Sequence, residues 1–196
     1  GEALGVEFRQ AKATPRLEAG RVNQVELEGL NQTLRKLVRV DPLTRLPNRR
    51  ALIDSVHREY LRFARYGTIF SLIWIDIDNF RMINDSLGKD VGDQALQWIA
   101  RKMLGSFRKA DMVSRWSGQR FLVLLPTAGA RAAEKAAEKL RGDLEKNLCA
   151  VTGSYITASF GVAEISQQDS VERILKRSER AQKEAKSRGK NRVVRL

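Results

Sequence analysis

Thr68–Asp78 reads TIFSLIWIDID. It is rich in β-branched and aromatic residues, the composition of a buried strand. The strand ends in Asp76-Ile77-Asp78. Residues i and i+2 of a strand project to the same side, so two carboxylates leave an apolar strand together. Such a pair is costly unless it is solvated, paired or bound to a metal. Two readings stand. One is a divalent-cation site for phosphate chemistry, with carboxylate oxygens on Mg²⁺ and Mg²⁺ on phosphate. The other is capping of the Asn79-Phe80 turn that follows.

Downstream of this strand the chain alternates. Asp90–Phe107 has helical period, with Ala95, Trp98, Ile99 and Met103 on one side. Met112–Trp116 and Phe121–Leu125 are short apolar runs around Ser117-Gly118-Gln119-Arg120, which predicts a hairpin. Ala130–Asn147 reads as helix, Tyr155–Glu164 as strand and Val171–Arg188 as helix stopped by Gly189. Arg192–Leu196 reads as a closing strand. The order β-α-β-β-α-β-α-β begins with the six elements of a ferredoxin-like split pattern, a sheet with helices on one face. If the strands are neighbours, the hairpin turn lies beside Asp76. Gly118 would there let backbone N–H groups approach a phosphate.

Upstream, Arg49–Tyr66 reads as helix after a Pro47-Asn48 turn. Leu27, Leu30, Leu34 and Leu37 fall at 3-4-3 spacing within Val22–Val40, either a short coiled-coil seam or one face of an amphipathic helix packed on its own domain. That helix is expected to end near Asp41-Pro42, because a residue before proline is pushed out of helical geometry. Residues 1–21 lack periodicity and read as a leader. The organisation expected is therefore a leader and linker helix over 1–40 and one domain over 41–196.

The 196 residues carry 36 Lys and Arg against 23 Asp and Glu, a net charge of +13. An excess of that size points to an anionic partner or to a heavily solvated surface. With 42% hydrophobic residues a sizeable core is available, which excludes wholesale disorder. No apolar run approaches the roughly 20 residues of a bilayer span. One cysteine, Cys149, and one histidine, His57, exclude an internal disulfide and argue against zinc. They fit a reducing, cytoplasmic compartment. The chain opens with Gly rather than Met and reads as a piece of a longer protein, with an upstream membrane or sensory module as the expectation.

Two further clusters carry charge. Arg108-Lys109-Ala110-Asp111 precedes the hairpin. Arg108 offers a planar fork for phosphate or a guanine edge and Asp111 an acceptor for guanine N–H groups. A local Arg–Asp ion pair is the alternative. Lys186, Arg188, Lys190 and Arg192 surround Gly189, either complementing the helix dipole or clamping phosphate.

Several ordered motifs then coincide with one family. Asp41–Arg50 (DPLTRLPNRR), Ile75–Asp85 (IDIDNFRMIND), Gly88–Asp93 (GKDVGD), Ala158–Ala163 (ASFGVA) and Ala185-Lys186 with Gly189-Lys190-Asn191 resemble, in order and separation, the GGDEF domain of bacterial diguanylate cyclases. The resemblance covers about four-fifths of the chain. It implies an α+β, ferredoxin-like nucleotidyl-cyclase fold with a mostly antiparallel sheet and surrounding helices. The family joins two GTP molecules, one on each of two facing protomers, into cyclic di-GMP. Carried over by position, Leu43, Asn84 and Asp93 match guanine-binding residues and Asp76 a metal-binding carboxylate. Arg81 stands for a phosphate-binding Lys, and Lys186 and Lys190 match phosphate-contacting positions.

The signature itself departs from the family. Ser117-Gly118-Gln119-Arg120-Phe121 stands where the family has Gly-Gly-Asp/Glu-Glu-Phe. Gln119 deletes one negative charge and Arg120 turns another into a positive one. At about 4 Å and an effective dielectric near 20, each unit-charge interaction is worth roughly 4 kcal/mol. Neither Gln nor Arg can serve as a base. The expectations are loss of cyclase activity, no Mg²⁺ in the family geometry, only a vestigial metal residue in Asp76, and Arg120 paired with Asp76 as a fixed cation. No cofactor is required on this reading. The resemblance also marks Arg108 and Asp111 as an RxxD product site, five residues before the signature. A cyclic di-GMP receptor is the expected function. GTP binding without turnover, or a scaffold that binds no nucleotide, are the alternatives. The expected partners are cyclic di-GMP or GTP, and a second copy or another protein along the N-terminal helix; nucleic acid is not expected.

Overall fold

A computed structural model describes residues 16–196. The leader before residue 16 and the side chain of Leu37 lie outside the described residues. The chain divides after Val38 into two compact units. The first contains helix α1 (Arg16–Leu37), which starts six residues earlier and ends three earlier than its periodicity implies. Arg16, Leu17, Glu18 and Ala19 are strong helix formers, and Val40 is already committed to a bridge with Pro47. Leu27, Leu30 and Leu34 are each more than half exposed.

The second unit begins with α2 (Arg49–Tyr66), whose N-cap Asn48 accepts a hydrogen bond from Ala51 N–H and whose C-terminus is closed by Gly67 at positive φ. Strand β1 (Phe70–Ile77) follows, then two helices, α3 (Phe80–Leu87) and α4 (Lys89–Ser106). The first of these is not among the elements the sequence predicts, which include only a turn at Asn79-Phe80: Asn79 enters it at φ 54° with no side-chain cap, and Gly88 at φ 90° ends it after eight residues. β2 (Met112–Ser117) and β3 (Arg120–Pro126) form the expected hairpin, and α5 (Ala130–Lys146) follows. A two-residue pair, β4 (Leu148–Cys149) and β5 (Ser154–Tyr155), precedes β6 (Ala158–Glu164), so the strand expected from Tyr155 starts at Ala158. Helix α6 (Val171–Ser187) and β7 (Val193–Arg195) close the chain.

The five-stranded sheet has the order β2-β3-β1-β6-β7, antiparallel except for the β6–β7 pair. β1 is central, and its alternation explains both layers. Ile73, Ile75 and Ile77 face a core shared with α4 and α5 through Leu96, Ile99, Met103 and Leu140. Phe70, Leu72 and Trp74 face α2 and α6 through Leu52, Val56 and Ile174. The helices of the split pattern cover one face as expected, and α2 and α6 cover the other. Fully burying an aliphatic or aromatic side chain of this kind is worth about 1.5–3 kcal/mol. Helix α6 sits closest: a Cβ on Gly161 would lie 2.2 Å from Gln182 N and Ser178 O. Only glycine lets helix backbone meet strand backbone there.

Where β1 ends, Asp78 is 4% exposed. Its carboxylate accepts hydrogen bonds from Thr157 Oγ1 at 2.8 Å, Ser159 Oγ at 2.8 Å and Asn191 N–H at 3.0 Å, and pairs with Lys186 Nζ at 2.9 Å. Burial by itself would raise its pKa, but the Lys186 ammonium and the two hydroxyls outweigh burial and hold the carboxyl below its usual range. Asp78→Ala leaves that ammonium and three donors without their acceptor, and should destabilise the domain by about 3–5 kcal/mol in urea denaturation. In the unfolded chain the carboxyl titrates near 3.9. Its folded pKa is lower, so the stabilisation is complete above the unfolded value and disappears as acid drives the pH through the folded one. The stability curves of the wild type and Asp78→Asn should therefore converge on acidification; parallel curves would show that Asp78 contributes nothing through its charge.

Candidate functional site

Asp76, Gln119, Arg120, Lys186 and Lys190, singled out in the sequence, gather at the end of β1. The hairpin places Arg120 directly opposite Asp76 in the β1–β3 register, and Ile77 N–H donates to Gln119 O at 3.2 Å. The β2–β3 turn is therefore fastened beside the two carboxylates. Gly118 takes φ 53° to close it, a conformation open to glycine at little cost.

Lys186, from the last turn of α6, reaches between the two acids. Its Nζ lies 3.2 Å from Asp76 Oδ1 and 2.9 Å from Asp78 Oδ1, and donates to Ile77 O at 3.0 Å. The contact with Asp76 is an ion pair without hydrogen-bond alignment, so the buried Oδ1 of Asp76 accepts no hydrogen bond. The pairing expected between Arg120 and Asp76 does not form. Arg120 instead donates to Ser117 Oγ at 2.7 Å and lies 3.7 Å from Glu179. The reason is that α6 brings both a lysine and a glutamate to this end of the sheet, and each strand charge takes its opposite from the helix. Lys190 Nζ donates to Asn79 Oδ1, on the turn that follows Asp78.

A cleft of about 540 Å³ opens beside the turn. Its walls include Arg81, Asn84, Asp93, Arg115, Gly118 and Gln119. Asn84 Oδ1 is buried and has no hydrogen-bond partner. It fits against Gly92, where a Cβ would come within 1.8 Å of it. An unpartnered buried amide oxygen costs about 1–3 kcal/mol and is ready for a donor. Arg81, exposed at the rim, lies 3.5 Å from Asp85. Leu43 is not part of these walls; it packs on the core, and its carbonyl accepts from Gln97 Nε2 at 3.1 Å.

Arg115 is a residue the sequence reading passed over. Its Nε donates to Gly118 O at 3.0 Å and its Nη1 to Asp41 at 3.1 Å and 3.2 Å. Asp41 also accepts from Thr44 N–H and Oγ1, both at 2.8 Å. Burial opposes ionisation of Asp41, yet Thr44 and Arg115 together hold its pKa below the usual value. Arg115 thus ties the DPLT segment to the turn. A lone cation inside the apolar run Met112–Trp116 was the available signal.

Arg108 and Asp111 lie at the opposite end of β2, about 17 Å along the strand at some 3.3 Å per residue. Asp111 accepts from the backbone N–H of Arg108 at 2.9 Å, not from its guanidinium. Arg108 is exposed and makes no ion pair among the described residues. The local ion pair that was the simpler alternative is absent from this loop.

A divalent cation in this place would need converging oxygen donors. The turn offers the Gln119 amide and the Arg120 guanidinium, and among the described residues no three His, Cys, Asp or Glu side chains converge. The side chains present do not fit such an ion.

The family "Diguanylate cyclase, GGDEF domain" matches residues 38–192. Curated relatives include the diguanylate cyclase DgcP of Pseudomonas aeruginosa, 35% identical over 155 residues, 78% of this chain and 23% of that protein. Another is DosC of Escherichia coli, 34% identical over 169 residues, 85% of this chain and 37% of that protein. The chain thus spans well under half of either. Among solved structures, diguanylate cyclase SiaD from P. aeruginosa, in complex with its activator SiaC, superposes with a TM-score of 0.77 at 32% identity. The match covers 92% of this chain and 70% of SiaD. The coiled coil and GGDEF domain of DgcB from Caulobacter crescentus, in complex with c-di-GMP, gives 0.77 at 28% identity, covering 92% and 99%. The Arg39–Leu196 unit carries the motifs, the sheet and the cleft, and the chain belongs to the GGDEF-domain family of diguanylate cyclases.

Proposed function

We propose that this domain does not synthesise cyclic di-GMP and serves as its receptor, through Arg108 and Asp111. The observation that carries the reading is the contrast between the two ends of β2. At one end the turn presents Ser117, Gln119 and Arg120, with no carboxylate to bind a metal or take a proton. At the other, an exposed guanidinium stands beside an aspartate fixed by its own loop. A cyclic dinucleotide offers guanine edges and phosphates, and an Arg fork suits both. DgcB, a relative of known structure, is described in complex with c-di-GMP. No Mg²⁺ is needed for this binding. The exposed stripe Leu27, Leu30 and Leu34 supports pairing of α1 with a second copy or with a partner protein, with the domain working in the cytoplasm as part of a longer signalling chain.

A second reading, GTP binding without turnover, is favoured by one observation. Asn84 Oδ1 is buried without a partner in a cleft that also holds Asp93, and an amide and a carboxylate together match a purine's polar edge.

Incubation with GTP and Mg²⁺ should yield no cyclic di-GMP by chromatography, against steady production by an intact GGDEF domain; sustained synthesis would end the inactive reading. In calorimetric titration cyclic di-GMP should bind with micromolar affinity whether Mg²⁺ or EDTA is present. Arg108→Ala should weaken it at least tenfold, the equivalent of about 1.4 kcal/mol, close to the lower end of what a charged hydrogen bond is worth. Asp93→Ala should leave it unchanged. GTP binding lost in Asp93→Ala but kept in Arg108→Ala would support the second reading, and silence toward both ligands would leave a scaffold.

A further inference from the structure

The positive charge is not spread evenly over the two helical layers. Helices α2 and α6, on one face of the sheet, carry eleven Arg and Lys against five Asp and Glu. Helices α4 and α5, on the other, carry eight against six. The surplus on the first face is also ordered. Arg58, Leu61 and Arg65 on α2 follow i, i+3, i+7 spacing, as do Arg173, Lys176 and Arg180 on α6. That spacing places each trio on one side of its helix. All six are exposed, while residues of the same helices that face the sheet, such as Val56 and Ile174, are buried.

None of the five cations lies within 4 Å of a carboxylate among the described residues, whereas Arg177 and Lys183 on α6 are paired with Asp169 and Glu179. Leu61 is 66% exposed in the middle of its stripe, and Tyr66 is 67% exposed at the end of the same helix. The Arg65 guanidinium lies 5.1 Å from the centre of the Tyr66 ring. Beside the α6 stripe, a recess of about 520 Å³ is lined by Arg173, Lys176, Arg180 and the paired Arg177 and Asp169.

We propose that the outer face of α2 and α6 docks onto an anionic lipid bilayer. Arg58, Arg65, Arg173, Lys176 and Arg180 meet headgroup phosphates, and Leu61 and Tyr66 enter the interfacial layer. Unpaired cations gain from the negative surface potential of acidic lipids. An exposed leucine flanked by arginines gains only where an apolar phase lies beneath the charges, and a tyrosine favours the headgroup level. A nucleic-acid backbone would reward the arginines but give Leu61 no partner, so the bilayer is the occupant that accounts for both residue types.

The test is flotation of the whole chain with vesicles of phosphatidylcholine alone and with 30 mol% phosphatidylglycerol. Binding is expected only to the acidic vesicles, and should fall steeply between 50 and 500 mM salt. Each surface cation contributes about a fivefold factor, so the triple variant Arg58→Gln, Lys176→Gln, Arg180→Gln should lose about 100-fold in partitioning. Leu61→Ser should weaken binding severalfold at unchanged charge, while Arg131→Glu with Lys135→Glu on α5 should not weaken it. Unchanged circular dichroism and melting temperature keep a folding defect from mimicking these losses. Failure to float with acidic vesicles, or flotation that survives the triple variant, overturns the proposal. So does a DNA duplex that binds as tightly as the vesicles with no effect of Leu61→Ser, which would leave only general attraction to polyanions. Neither result bears on whether cyclic di-GMP binds at Arg108.

Discussion

The carboxylate of Asp78 is where the chain's distant parts are fastened together. It sits at the exit of the central strand, out of water, and is met by β6 through Ser159, by the residue before it through Thr157, by α6 through Lys186, and by the last loop through the Asn191 N–H. A buried charge left alone is expensive, and breaking a buried pair costs far more than the pair is worth against an apolar substitute. The arrangement is therefore a device for position. It fixes the end of β1, and with it the turn beside β1 and the start of α3. The tight seat of α6 at Gly161 keeps Lys186 within reach.

That geometry gives the altered signature its meaning. In a metal-binding turn, acids on the hairpin would add to Asp76, and the excess negative charge would call for a cation. Here the hairpin brings Gln119 and Arg120 instead, and α6 supplies the opposite charges: Lys186 for the two strand acids, and Glu179 for Arg120. The hairpin keeps its place and shape because Arg115 and Asp41 hold it by contacts that do not involve the substituted residues.

Most of the framework was legible in the residues. The apolar run into Asp76-Ile77-Asp78, the glycine turn between two short strands, and the helices with strong apolar faces all formed close to the expected bounds. Two kinds of feature were not legible. Short elements such as α3 and the β4–β5 pair contain too few residues to show a period, and they form because tertiary packing and positive-φ positions place them. Choices between partners were also hidden. Opposite charges at the end of one strand and in the signature turn made Asp76 and Arg120 look like a pair, but α6, which begins fifty-one residues after Arg120, intervenes with charges of both signs. Asn191 contributes through its backbone, which no side-chain pattern can announce.

The order of the sheet has a consequence for how copies of the chain can meet. Its two outer strands are β2 and β7. β2 is partly covered, since Arg115 N–H donates to Pro47 O and Asn48 bridges to the same residue. β7 is three residues long and ends in Arg195. Short, charged or covered margins resist strand addition. Growth of the sheet from one molecule to the next is thereby discouraged, which protects a chain with so apolar a centre from aggregating.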